Sequence, residues 1–306
     1  MSEPVVPLVS VLVPCYNYAS FVGEALTSVL EQDYPNFELI VVDDGSTDDS
    51  ASVIERTIEA SKPGSRARGV LFVKQENQGV SAALNTALAL AEGEFVATFD
   101  ADDIMPQGRL AVQAAYLSEH PEVGCLGGVA IRIDEQGALL PKKDKKREVR
   151  RYDFDRALAE ALVVGGNIAV YRRDAMIAVG GYDPAIKVQD FQMTLKIAHE
   201  GYFVDILPEI VTLYRKHPDS LSKQYKSEYL YGLQVIQDYK GCAAYSSSKS
   251  KLITKALRIA VTDDKAYAWR LLFQVPLAHW DGQLFKRFRH LLFKPSSRGC
   301  RSGMGN

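Results

Sequence analysis

SVLVPCYNYASFVGEALTSVLEQDYPNFELIVVDDGSTDDS, running from Ser10 to Ser50, holds the pattern on which the fold reading rests. Leu8 to Val13 is a short, apolar, β-branched run, and Phe37 to Val42 (FELIVV) is a second. Between them Phe21, Ala25, Leu26, Val29 and Leu30 recur at helical spacing. Two strand-length runs joined by a helix-length segment make a βαβ unit. The alternation continues outward. Ser50 to Ile58 puts Ala51, Ile54 and Ile58 on one helical face, Val70 to Val73 is a strand, and Val80 to Ala91 is an Ala/Leu-rich helix. Phe95 to Phe99 is a fourth strand, followed by a helix over Leu110 to Leu117. This repetition predicts a mostly parallel, Rossmann-like α/β sheet with right-handed crossovers and flanking helices.

Beyond Val123 the pattern loosens. Strands are expected at Cys125 to Ile133 and Val211 to Tyr214, and GGNIAVYRR reads as a strand running into a helix. Helices are expected at Asp153 to Val163 and at Gln189 to His199. PKKDKKREVRR, with seven basic residues between Lys142 and Arg151, reads as an exposed, solvated loop. After Ser222 only helical runs remain: Tyr225 to Tyr239, Leu252 to Val261, Tyr267 to Phe273 and Leu284 to Phe293. SSSKSK, Ser246 to Lys251, reads as a linker. The expected organisation is a domain over residues 1–222, with halves 1–120 and 121–222, and a helical basic region over 223–306.

The 306 residues carry a net charge of −2, with 47% hydrophobic and 24% charged residues. That is ordinary globular composition and gives no sign of a nucleic-acid binder. The charge is uneven. Residues 251–306 hold 11 Lys and Arg against 3 Asp and Glu, net +8, whereas the first 250 are net −10. An acidic body with a basic tail suits a catalytic domain with a surface-seeking appendage. No run of 18 apolar residues and no basic segment ahead of the first apolar stretch occurs, so neither a transmembrane helix nor a signal peptide is expected. Cys15, Cys125, Cys242 and Cys300 lie far apart, which fits a reduced cytoplasm better than a zinc site or a disulfide framework.

In an open parallel sheet, ligands bind beyond the carboxyl ends of the strands. The segments there are Pro14-Cys15-Tyr16-Asn17, Asp43-Asp44-Gly45-Ser46, Gln75-Glu76-Asn77-Gln78-Gly79 and Asp100-Ala101-Asp102-Asp103. Carboxylates at two strand ends on one rim form an acidic pocket for a cation, for a base with N–H donors, or for both. The blander reading makes Asp43 and Asp44 a turn with Ser46 as helix cap, and the later triplet an acidic helix start. Three carboxylates within four residues repel each other unless solvated or neutralised by a metal. Hard oxygen ligands suit Mg²⁺ or Mn²⁺, ions that bind through one or two carboxylates plus substrate phosphates.

At these residues the chain resembles the family 2 glycosyltransferases, inverting enzymes of the GT-A fold. The resemblance is carried by Ser10 to Ser50, quoted above, and by ENQGVSAALNTALALAEGEFVATFDADDIMPQGRL, Glu76 to Leu110. GGNIAVYRRDAMIAVGGYD (Gly165 to Asp183), VQDFQMTLKIAHEG (Val188 to Gly201) and LYRKHPDSLS (Leu213 to Ser222) match later family segments less closely. It implies a nucleotide-sugar pocket of Pro14, Tyr16, Asn17, Asp43, Asp44, Asn77, Asn85, Asp100 and Ala101, with Asp44 accepting the base's N–H. It implies a Mn²⁺ or Mg²⁺ held by Asp102 with Asp100 and His217, and Asp190 as the base that deprotonates the acceptor. His217 also reads as polar surface, and Asp190 as a helix-start aspartate. The implied activity is transfer of a sugar, from a UDP-sugar by preference, to a glycan or lipid-linked acceptor in surface polysaccharide biosynthesis. Two departures stand out: Leu84 occupies the place of an arginine often found before Asn85, and Gln189 replaces the acid usual before the base.

Two rivals read the same rim differently. A sugar-nucleotide nucleotidyltransferase wants a Gly-rich, basic loop after the first strand, and PCYNYAS offers neither. A receiver-like signalling module is about 120 residues long and needs a lysine at a later strand end. Phe285 precedes, and Phe288, Leu291, Leu292 and Phe293 are mixed with cations in, KRFRHLLFK, Lys286 to Lys294. That stretch suits a helix lying on the inner face of a membrane, and equally a helix packed on the core.

Overall fold

The computed structural model describes residues 6–61, 65–141, 148–217 and 225–293. Residues 142–147 of the expected Lys142–Arg151 loop, the 222/223 boundary and the last residues of the basic tail, 294–306, lie outside the described residues, and Arg150 and Arg151 form a strand rather than a loop.

Eight strands form one sheet: β1 (Val9–Cys15), β2 (Phe37–Asp43), β3 (Ala67–Lys74), β4 (Phe95–Thr98), β5 (Val123–Ile133), β6 (Arg150–Tyr152), β7 (Val170–Arg172) and β8 (Phe203–Arg215). Their order across the sheet is β3-β2-β1-β4-β7-β5-β8-β6. The first four run parallel, joined by α1 (Val22–Leu30), α2 (Ser50–Ser61) and α3 (Val80–Leu90). β1, β2 and β4 are buried almost throughout, because helices cover both faces of a parallel sheet and leave no solvent side to mark with polar residues. β7 reverses the direction, pairing antiparallel with both β4 and β5. β5 and β8 are parallel to each other, and β6 lies antiparallel on the edge. α4 (Arg109–Glu119), α6 (Arg173–Ala178) and α7 (Gln189–His199) complete this part. The parallel half and its rim are as the sequence leads one to expect.

Two strands differ from expectation. β8 spans Phe203–Arg215 rather than Val211 to Tyr214, because its apolar run is broken by Asp205, Pro208 and Glu209. Pro208 falls where the pairing jumps from Gly127↔Ile206 to Val129↔Ile210, an irregularity that accommodates a residue without an N–H. β6 is three residues of a basic segment and is held by its partner: Arg151 sits opposite Asp205, and their side chains form an ion pair at 2.8 Å.

The chain divides by contact into two units, Met1–Phe154 with Val163–Ser220, and Asp155–Leu162 with Leu221–Asn306. In the second, α9 (Tyr245–Asp263) is flanked by α8 (Tyr225–Gln237), α10 (Lys265–Leu272) and α11 (Gly282–Phe293). α9 buries Leu252, Ile253, Ala256, Leu257, Ala260 and Val261. α5 (Phe154–Ala159) begins at the junction of the two units. Ser246 to Lys251 is not a linker but the first turns of α9. Two of its serines are buried: the Ser250 hydroxyl lies 2.9 Å from the Ser246 carbonyl and 2.6 Å from His279 Nδ1, and Ser248 is fully covered, while Ser246 is exposed.

Candidate active site

The rim is built from loops that lock one another. After β1, Asn17 adopts φ +58°, a left-handed conformation that Asn tolerates better than most residues. Its amide oxygen accepts from the Thr47 N–H at 2.8 Å, and its own N–H donates to the Ser46 hydroxyl at 3.0 Å. Tyr18 and Ala19 donate their N–H groups to the Ser50 hydroxyl and to the Asp48 carboxylate. These bonds stitch together the loops after β1 and β2 and pair off their backbone donors.

Asp43 and Asp44 are both buried at this seam. Asp44 accepts from Gln75 Nε2 at 2.7 Å, from the Gln78 N–H at 2.9 Å and from the Gly79 N–H at 2.8 Å. Gly79 sits at φ +90°, which a side chain would strain, and it opens α3. Asp44 therefore fastens the loop after β3. Asp43 accepts one bond, from the Ser46 N–H at 3.1 Å, so it has the greater unused acceptor capacity. Tyr16 is 45% exposed beside this seam in sequence, Pro14 is half-buried, and Asn77 is exposed.

Asp100, Asp102 and Asp103 each offer a carboxylate oxygen within 4.8 Å of the other two. Ala101 between them turns into the apolar core. Burial, followed by the charges of Asp103, Asp102 and Asp190, holds the Asp100 carboxyl well above the usual range. Asp103 is fully buried and pushed up to about 7, mainly by desolvation and then by Asp102. Its two oxygens accept from Asn167 Nδ2 at 2.6 Å and from the Arg215 N–H at 2.9 Å, which makes it an anchor for the rim. Asp102 Oδ2 lies 3.0 Å from His217 Nε2, and the ring of His217 rests against Phe21 and Tyr18.

Asp190 is the second residue of α7, brought to the same rim by the reversal at β7. Its Oδ2 accepts from the Gly166 N–H at 2.8 Å, and its Oδ1 is sealed from solvent with no hydrogen-bond partner among the described residues. Desolvation pushes its carboxyl up to about 6, against the lowering effect of the Gly166 N–H. A Cβ added at Gly166 would sit 3.1 Å from Asp190 Oδ1 and 3.7 Å from Asp100 Oδ1. The missing side chain is what lets these two carboxylates flank one small space.

Two arginines that sequence reasoning passed over support the acids. Arg109, fully buried, donates to the carbonyls of Thr98, Asn167 and Ala169 and to the side chains of Gln113 and Thr212. Burial pulls its pKa down to about 9, while Asp103 and Asp100 hold it up. Arg215, also buried, donates to the carbonyls of Asp102 and Glu135 and pairs with Glu24 at 2.5 Å. The one available signal was the position of Arg215 at the end of a strand, next to His217. Asn85 does not stand among the rim acids. Its amide oxygen accepts from the Tyr182 N–H at 2.9 Å and its amide nitrogen donates to the Tyr182 carbonyl at 2.7 Å. It clamps the segment leading to α7.

A parallel sheet reversed at its centre, with an acidic rim at the seam, is the GT-A architecture. A mannosyltransferase of Pyrobaculum calidifontis, solved in complex with GDP-Man and Mn²⁺, is similar with TM-score 0.62 at 24% identity, covering 94% of this chain and 88% of that one. S. aureus TarS 1-349, solved in complex with UDP-GlcNAc, is similar with TM-score 0.67 at 19% identity, covering 93% and 88%. The model of glycosyl transferase family 2 matches residues 10–180, and the chain belongs to that family. An uncharacterized glycosyltransferase of Methanocaldococcus jannaschii is 28% identical over 241 residues, 76% of this chain and 79% of that one. The amylovoran biosynthesis glycosyltransferase AmsE of Erwinia amylovora is 26% identical over 217 residues, 70% and 79%.

Asn85→Ala leaves the Tyr182 backbone unpaired on both sides. It is expected to lower stability by about 1–3 kcal/mol in urea melts. Unchanged melting would remove the clamp role.

Proposed function

We propose that this family member transfers a sugar from a nucleotide-sugar donor, UDP-linked by preference, to a glycan or lipid-linked acceptor in surface polysaccharide biosynthesis, with inversion. The observation that carries the reading is the Asp190 carboxylate: one oxygen is fixed by the Gly166 N–H, the other is buried and unpartnered, and the acidic rim lies beside it. A fixed carboxylate with a spare, poorly solvated oxygen is equipped to take a proton from an acceptor hydroxyl as that oxygen attacks the anomeric carbon. Attack from the face opposite the departing nucleoside diphosphate inverts the centre in one displacement.

The residues present fit a hard divalent cation. Asp100 and Asp102 would hold Mn²⁺ or Mg²⁺, with His217 behind Asp102, while Asp103 is occupied by Asn167 and Arg215. Bound there, such an ion supplies charge stabilisation for the diphosphate leaving group. Asp43, with its spare acceptor capacity, is assigned to the N–H of the base, and Asp44 to keeping the Gln75–Gly79 loop in place. Tyr16 is assigned as a platform for the base and Asn17 as the hinge of its loop. Asn77 and Ala101 are assigned backbone contacts to the nucleotide. The transfer domain is taken as residues 1–222 and the helical basic region as 223–306. The free, buried thiols of Cys15 and Cys125 suit a reducing compartment, so the enzyme is assigned to the cytoplasm. Of the described helices, none is long and apolar enough to cross a membrane.

Turnover should rise with pH through about 6, where Asp190 loses its proton, and level off above. Asp190→Asn should abolish transfer while donor affinity stays within about twofold; wild-type turnover in the variant rejects the assignment. The raised folded-state value means that the protonated form favours the fold. This contribution is complete below the ordinary carboxylate value and is lost as pH rises through about 6. At pH 8 the Asn variant should therefore be the more stable by about 1–3 kcal/mol in thermal melts. Asp102→Ala is expected to erase the Mn²⁺ dependence of UDP binding in calorimetry, a loss of at least about tenfold. Equal affinities with and without Asp102 would reject the ligand role.

A further inference from the structure

The second unit presents five aromatic rings in continuous contact. Trp269 stacks on Phe273 at 5.7 Å and meets Phe288 edge-on at 6.0 Å, and Trp280 lies 5.8 Å from Phe288 and 5.2 Å from Phe285. The strip joins α10, the turn Leu277–His279 and α11. Two of its rings are open, Phe273 at 81% and Phe285 at 53% exposed, while Trp269, Trp280 and Phe288 are half-buried; Leu277 and Phe293, on the same segments, are exposed as well. Scattered exposed apolar residues are ordinary, but here Phe273, Leu277, Phe285, Leu292 and Phe293 are all exposed on the segments that carry one connected set of rings, which leaves an apolar patch in water.

The winding of α11 explains the layout. Leu284 and Leu291, seven residues apart, form the buried face toward α9. Phe285, Phe288 and Leu292 follow at spacings of three and four and make a second apolar stripe beside it. Arg289 and Lys286 come next around the helix, both exposed, and α11 carries no acidic residue. One helix thus has a face for its own core, an aromatic face open to its surroundings and a cationic border to that face.

We infer that this strip is a membrane-docking surface, fitted to the interface of an anionic phospholipid bilayer. Aromatic rings take up the boundary between headgroups and acyl chains, and Lys and Arg at that level meet the phosphates. A second copy of the same strip would bring Lys286 and Arg289 against their equivalents, so the charge favours an anionic surface over self-association. The inference is independent of the sugar-transfer assignment, because vesicle binding is read without donor or acceptor.

The test is co-sedimentation of the full chain with phosphatidylcholine vesicles, with and without phosphatidylglycerol. The wild type should sediment with the anionic vesicles and stay in solution with the neutral ones. A variant carrying Phe273→Ser, Leu277→Ser, Phe285→Ser and Phe293→Ser should lose at least about tenfold in vesicle affinity with its melting temperature retained, since these side chains are exposed. Lys286→Glu with Arg289→Glu should abolish the preference for phosphatidylglycerol. A wild type that stays in solution with both vesicles overturns the inference, as does a serine variant that sediments like the wild type. Concentration-dependent dimerisation removed by the serine changes, without vesicle binding, overturns it in favour of self-association.

Discussion

Mutual repulsion among carboxylates held out of water is the constraint around which this protein is arranged. Asp100, Asp102 and Asp103 crowd one loop, and Asp190 is brought to the same place from another part of the chain. In low dielectric such a group resists ionisation unless charge or hydrogen bonding compensates. Part of the compensation is internal: Arg109 beneath the rim and Arg215 beside it are both withdrawn from solvent. They are not spent on simple ion pairs with the rim acids. Most of their N–H groups go to backbone carbonyls, so they brace the loops while lending positive charge. Asp100 and Asp190 nonetheless stay above the usual carboxylate range, which leaves the rim short of positive charge.

The sheet makes this crowding possible. Parallel strands put the loops after β1, β2 and β4 on one edge, and the reversal at β7 carries Gly165 to Asn167 and then α7 back to it. The loops lend each other hydrogen-bond partners: Asn17 to Thr47, Asp44 to Gly79, Asp103 to Asn167. The first two bonds join strand-to-helix connections, and the third ties the loop after β4 to the segment that leads into β7. The site therefore has little freedom to collapse or spread when its charges change, the condition for electrostatic preorganisation.

Much of this was legible in the amino-acid order, for a physical reason. The strands and helices of the first 120 residues are local patterns of burial, and Asp43, Asp44, Asp100 and Asp102 follow directly from strand ends. What escaped notice depends on partners far away in sequence. Arg215 meets Asp103, Asp102 and Glu24 across separations of 112, 113 and 191 residues. Asn85 reaches Tyr182 across 97 residues, a partner that its position in the sequence does not reveal. β6 is held by the pairing of Arg151 with Asp205, 54 residues away, and the start of α9 by Ser250, whose hydroxyl meets His279 across 29 residues. Between Asp43 and Asp44, sequence could not tell which one its neighbours would occupy.

The central claim is that Asp100 and Asp102 gather a divalent ion that holds a diphosphate, while Asp190 stands apart as the proton acceptor. Crystals grown with UDP and Mn²⁺, measured for the anomalous signal of manganese, test it most directly. The account predicts a manganese peak in contact with Asp102 and the diphosphate oxygens, with the base near Asp43 and Asp190 free of metal. A manganese bound to Asp190, or UDP seated away from these carboxylates, would contradict it.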